Sequence, residues 1–175
     1  MSVTPEVGQA IVIRFDGADT VVWWGSGPEG REVLAAEGGR LLTWGSVEEC
    51  VAHASEAGWG VDWDAGISND QSTLQDFTSA QRRLSGDPEP LNPQSALDLW
   101  NFATDVAHTL GLQFHDGGRV ADLCHEKLTK ATVPYAFGLT EYALRWTPAE
   151  LKVVRRVLGD AVGVVRTGLG VAPGH

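Results

Sequence analysis

Residues 10–24 read AIVIRF-DGAD-TVVWW, two β-branched and aromatic runs on either side of a short polar stretch. Val, Ile, Phe and Trp suit a pleated, half-buried surface, and Asp16-Gly17-Ala18-Asp19 supplies a chain reversal. The pattern predicts a β-hairpin over 10–15 and 20–24 with a four-residue turn. Working outward, RLLTWG at 40–45 predicts a third strand. Ser46-Val47-Glu48-Glu49 has the form of a capping box, so a helix is expected over 47–57, closed by Gly58. The short stretch WGVDW at 59–63 predicts one more strand. These elements make an antiparallel sheet of about four strands with a covering helix.

Helical spacing governs the remainder. Leu74, Phe77, Gln81 and Leu84 predict a helix over 73–84, followed by a loop at 85–92. Asn92 before Pro93 opens a helix over 93–110, with Leu97, Trp100, Ala103, Val106, Ala107 and Leu110 on one stripe and Gly111 at its end. A further helix over 119–131 is expected to turn Val120, Leu123, Cys124 and Leu128 inward. EYALRW at 141–146 predicts a returning strand. Thr147-Pro148-Ala149-Glu150 then caps a helix running to about 166. Strands fill the first third and helices the rest. The expectation is a single α+β domain over 9–166, with flexible termini at 1–8 and 167–175.

The chain has 175 residues, 43% of them hydrophobic and 21% charged, which suits one well-buried core. No apolar run approaches the roughly 20 residues that span a bilayer, and the first residues lack the basic and apolar regions of a secretory signal. A cytoplasmic protein is expected, with Cys50 and Cys124 reduced and buried. The net charge of −10 disfavours nucleic acid and anionic membranes. It is unevenly spread. Residues 1–66 carry eleven acids against three bases, whereas 93–175 carry eight of each. Such asymmetry points to a basic protein partner.

Gly25-Ser26-Gly27-Pro28-Glu29-Gly30 matches G-x-G-x-x-G after a strand, but Pro28 and Glu29 suit a turn better than a phosphate cradle. Cys50 and His53 stand at zinc-ligand spacing, with His115, Cys124 and His125 as candidates to complete a set. Adjacent Cys124 and His125 would point about 100° apart on a helix, so no metal or cofactor is expected. His115-Asp116-Gly117-Gly118 is the most site-like loop. An unrecognised active site would centre on His115, Asp116 and Cys124, although no catalytic motif surrounds them.

Seven tryptophans are the most unusual feature, and Trp23, Trp24, Trp44, Trp59 and Trp63 fall in the acidic first 63 residues. Asp62 and Asp64 flank Trp63, so both acids leave one side of an extended chain when the ring leaves the other. Acids beside an aromatic make a binding hot spot for Lys or Arg. The candidate partner-binding residues are therefore Asp62, Trp63 and Asp64, with Asp16, Asp19 and Glu48 at the rim.

The stretches ALDLWNFATDVA (96–107), LCHEKLTKATVPYAF (123–137) and RWTPAELKVVRRVL (145–158) resemble small proteins of high-GC actinobacteria, a group with no established activity. In size, charge and layout the chain is similar to immunity proteins that block bacterial toxins. Leu97-Asp98-Leu99-Trp100 resembles the inhibitory helix of barstar-type nuclease inhibitors. The likeness implies an inhibitor that occludes a basic toxin. The alternatives are an adaptor or chaperone for a secreted effector, and an enzyme centred on His115, Asp116 and Cys124.

Overall fold

The predicted hairpin forms, with a tighter turn than the pattern suggests. After β1 (Ser2–Val3), strands β2 (Val7–Phe15) and β3 (Ala18–Ser26) pair antiparallel from Val7 opposite Ser26 to Phe15 opposite Ala18. Only Asp16 and Gly17 remain in the turn, at φ 49° and 76°. Two successive left-handed residues twist in the same sense as the flanking strands, which draws Ala18 and Asp19 into β3. The computed structural model describes residues 2–62, 74–87 and 89–171, with the backbone alone at Glu29.

Short strands complete two sheets. β4 (Glu32–Leu34) adds to β3, while β5 (Ala36–Glu37) and β6 (Arg40–Leu41) join β1 in a separate small sheet. The strand expected over 40–45 stops at Leu41, and Trp44 touches β3 only through one bridge to Val21. Helix α1 (Val47–Glu56) starts at Ser46, whose Oγ accepts from the Glu49 N–H at 3.2 Å. The return contact of the expected capping box falls one residue early, because the Glu49 carboxylate accepts from Gly45 N–H at 3.1 Å. β7 (Gly60–Val61) and β8 (Leu74–Asp76) both run parallel to β2, one beside Val7–Gly8 and the other beside Val12–Arg14. The sheet is therefore mixed. The strand expected over 59–63 is seen at Gly60–Val61, and its last residue, Trp63, lies outside the described residues.

The helix expected from residue 73 begins later. Leu74–Asp76 is β8, and α2 covers Thr78–Leu84. The Asp76 carboxylate accepts from the Thr78 N–H at 2.9 Å, a side-chain turn that favours a helix start over a helix interior. Helix α3 (Pro93–Leu110) opens with Asn92 Oδ1 accepting from Ser95 N–H at 3.0 Å. In α4 (Arg119–Thr132) the buried residues are Ala121, Cys124 and Leu128. Val120 and Leu123, expected inward, are 42% and 43% exposed. The inward stripe is set by spacings of three and four from Ala121. Residues 141–146 form no strand. They follow a short 3-10 turn at Pro134–Phe137 and lead into α5 (Pro148–Leu169). Thr147 and Glu150 make the full reciprocal capping box expected there, and α5 runs three residues further than predicted. With β1 at one end and α5 reaching Leu169 at the other, parts of both termini expected to be flexible belong to regular elements.

Alternation along the hairpin assigns each face of the sheet to a separate layer. Ile11, Ile13, Phe15, Val22 and Trp24 face α3 and α5, whose Phe102, Val106 and Val165 complete the main core. Ala10, Val21 and Trp23 face the other way, against Cys50 and Ala54 of α1. Adjacent Trp23 and Trp24 thus serve opposite layers. Trp23 is 1% exposed, and Trp24 is half-buried, edge-on to Phe102 at 5.7 Å between centroids. Residues from both halves of the chain meet in the main cluster. No helix among the described residues is long and apolar enough to cross a membrane.

Candidate functional site: an acidic cleft beside Trp24

Four residues of α3 leave the helix on one side. Trp100, Asn101, Thr104 and Asp105 are spaced by one and four, so their side chains form adjacent rows over about a turn and a half. Opposite them stand Trp24 from the end of β3 and Glu32 from β4. Asp116, in the loop after α3, and Asp122 and His125 on α4 close the third side. Together they line a cleft of about 620 Å³.

Four carboxylates border this cleft: Glu32, Asp105, Asp116 and Asp122. None forms a salt bridge with a described residue, and no described lysine or arginine lines the space. Burial, and after it the charge of Glu32, push the Asp105 carboxyl up to about 7. The Trp24 indole N–H acts in the opposite direction, although it does not close to full hydrogen-bond geometry. Burial lowers the pKa of His125, against the opposing pull of Asp116 and Asp122. Its Nε2 lies 2.8 Å from Asn101 Oδ1. That oxygen can only accept, so Nε2 carries the proton in the neutral ring. His125 also sits edge-on against Trp100 at 5.3 Å. The Thr104 hydroxyl, with one proton to give, stands 3.0 Å from the Trp100 carbonyl and 3.3 Å from Asp116 Oδ2.

A second hollow, of about 280 Å³, adjoins the first and shares Trp24 and Glu32 with it. Gln9 and Asp62 line its far side. Gln9 is the cross-strand neighbour of Trp24. Gln9 Oε1, shut off from solvent, has no hydrogen-bond partner among the described residues, and the Trp24 indole N–H, equally enclosed, has only its incomplete approach to Asp105. A buried polar atom left without a partner costs about 1–3 kcal/mol. Carboxylates around an aromatic wall, with a spare acceptor alongside, suit a cationic group that carries several N–H donors.

The structure distributes the residues singled out from sequence among separate places. Asp62 opens on the groove just described; Trp63 and Asp64 lie outside the described residues. Asp16 and Asp19 sit at the hairpin turn, at the far end of β2 from Gln9, a span of about 20 Å at 3.3 Å per residue. Both carry internal partners there. Arg166 clasps Asp16 through two bonds of 2.8 and 2.7 Å, and Arg14 holds Asp19 at 2.7 and 2.9 Å. Each arginine keeps its partner's carboxyl below the ordinary range. Glu48 is exposed on α1, across the sheet from Trp24.

His115, Asp116 and Cys124 do not converge. His115 pairs with Asp160 through its ring Nδ1 at 3.1 Å and its backbone N–H at 2.9 Å. Asp116 turns to Thr104, and the buried Cys124 thiol faces the Glu150 carbonyl at 3.8 Å. Burial pushes the Cys50 thiol up to about 12 and also raises Cys124. No group of three or more metal-ligating side chains occurs among the described residues. Of the cleft's acids, the sequence reading had named only Asp116. The run Trp100-Asn101-x-x-Thr104-Asp105 was the available signal, since it sets polar groups beside a core tryptophan on one helix.

No family model matches the chain, and neither a curated protein nor a solved structure matches it.

Proposed function

We propose that this chain is a protein-binding inhibitor of the toxin-immunity kind, acting in the cytoplasm by covering the working surface of a basic bacterial toxin. The observation that carries this reading is the Trp24 cleft, where four carboxylates gather with no described lysine or arginine among them. Holding like charges together costs stability, and a partner's Lys and Arg side chains would relieve that cost on binding. The net charge of −10 extends the attraction beyond contact distance and speeds encounter at low salt. Occlusion needs no chemistry from the inhibitor. Asp62, which lines the second hollow, is proposed as the edge of the docking face, and Trp63 and Asp64 are proposed as partner-binding residues with it. Glu48, Asp16 and Asp19 are proposed as outlying charges that steer the approach.

An adaptor for a secreted effector is the second reading. It is favoured by exposed apolar side chains just past α4, where Tyr135 is 78% exposed and Phe137 42%. Affinity capture with the tagged chain from its host lysate, eluted with rising salt, tests the binding claim. A single basic protein in stoichiometric amount, released as salt rises and lost with the Asp62→Lys/Asp64→Lys variant, is the expected result. Retention of no protein at low salt, or release that ignores salt, would overturn it.

A further inference from the structure

We propose that the exposed face of α5 is a docking surface for a second copy of this chain, which it meets by setting Lys152, Arg155 and Arg156 against that copy's acidic cleft. This goes beyond the inhibitor reading, with which it shares the cleft. The three cations stand three and four residues apart in the first half of α5, so they share one face, and all are exposed. None forms an ion pair with a described residue. Lys127, Lys130 and Arg166, by contrast, are each held by a carboxylate of the same molecule. Like charges at these spacings destabilise a helix, and no described acid relieves them.

The same face continues through Gly159 and Gly163, about one and two turns beyond Arg156. Both are exposed, and a Cβ built on either would meet nothing within 4 Å. Glycine weakens a helix interior relative to alanine, and no described contact of this chain requires it here. Bare backbone at these two positions lets another element approach α5 closely.

The acidic cleft is the complementary surface. Glu32, Asp105, Asp116 and Asp122 border a concavity of about 620 Å³, and the side of a helix is a ridge that seats in such a groove. Trp24, half-buried on its wall, offers a ring on which an arginine side chain packs. Within one molecule the two surfaces do not meet, because no described lysine or arginine lines the cleft. The pairing therefore joins two copies. It is head-to-tail, since each copy contributes a different surface and keeps its other one open. The net charge of −10 sets copies against each other at a distance, but salt screens this beyond roughly 8 Å and leaves the contact pairs to decide. A second copy seated there covers the cleft until a more basic partner displaces it.

Sedimentation velocity of the full chain at physiological salt, from about 10 µM to about 1 mM, covers the range that a contact of a few exposed charge pairs calls for. The parent should pass from monomer to larger species as concentration rises, and return to monomer at about 1 M salt. Two variants, Lys152→Gln/Arg155→Gln/Arg156→Gln and Asp116→Asn/Asp122→Asn, each lack one side of the contact, and each alone should associate at least tenfold more weakly than the parent. Mixed in equal amounts they should form a heterodimer that grows no further, because the first supplies an intact cleft and the second an intact basic face. That rescue also shows both variants to be folded. Gly159→Leu should weaken association of the parent at least tenfold by filling the bare face. A parent that stays monomeric throughout, a triple variant that associates as the parent does, or a mixture of folded variants that stays monomeric would overturn the contact. The two proposals fail separately. If the chain is monomeric while salt-sensitive capture of a basic partner persists, the self-contact is wrong and the inhibitor reading stands. If the variants complement each other but capture yields no partner, the cleft serves self-association and the inhibitor reading falls.

Discussion

Replacing Asp105 by Asn removes the one cleft acid that burial has pushed to about 7 while keeping its shape and an acceptor oxygen toward Trp24. The ordinary value is 3.8, and Asp105 returns to it when the chain unfolds. Between these values the native state holds a proton that the unfolded chain has released. Stability therefore falls as pH rises through that window and levels off above it. At about 1.4 kcal/mol per unit, a shift of roughly three units would amount to ~4 kcal/mol, and partial solvent access reduces this to about 2 kcal/mol. The Asn variant carries no such penalty. It is expected to match the parent near pH 4.5 and to exceed it by about 2 kcal/mol at pH 8.5, roughly 4–8 °C in Tm for a chain of this size. Urea unfolding followed by far-UV circular dichroism at both pH values reads the difference directly. A difference that is the same at both pH values, or a variant less stable than its parent at pH 8.5, would refute the assignment of strain to Asp105. A stabilising change that also weakens partner binding would mark the acid as kept for function at the expense of stability.

Other consequences concern the scaffold. A methyl group on Gly25 would run into the Val7 carbonyl and the Gly8 backbone, so Gly25→Ala is expected to cost more than about 2 kcal/mol in the same unfolding assay. The phase of α4 is open to a paired test: Leu128→Ala should lose about 2–5 kcal/mol and Leu123→Ala less than about 0.5. Neither Cys50 nor Cys124 should react with iodoacetamide in the native protein at pH 8, since both thiols are buried with raised pKa values. Mass spectrometry should find both alkylated only after denaturation.

The hairpin, α1, α3 and α5 were legible because local signals agree with tertiary needs at each: a turn pair, a cap, a stripe of one period. Reading failed where tertiary contacts decided. Leu74 has helical spacing to Phe77 and Gln81, yet the edge of β2 beside Val12 offered unpaired backbone groups, and residues 74–76 extended to meet them. Val120 and Leu123 looked inward because they are apolar, whereas the face of α4 that packs is Ala121, Cys124 and Leu128. The charge distribution misled in a similar way. Counting along the chain put the acidity in the N-terminal half, but Asp16 and Asp19 are neutralised by arginines, one of them 150 residues away. Three of the cleft's four acids come from the half that is neutral overall, where α3 and α4 bring Asp105, Asp116 and Asp122 together. Their gathering depends on how two helices pack, which linear spacing does not encode.

Inhibition of a basic toxin is read out most directly as growth. The basic protein recovered by affinity capture is expressed in a bacterial host under an inducible promoter, alone or together with this chain. Growth should stop when the partner is expressed alone and be restored by the chain. Restoration should be lost with the Asp62→Lys/Asp64→Lys variant that no longer captures the partner. A partner that does not harm the cell, or growth arrest that persists although the complex forms, would contradict it.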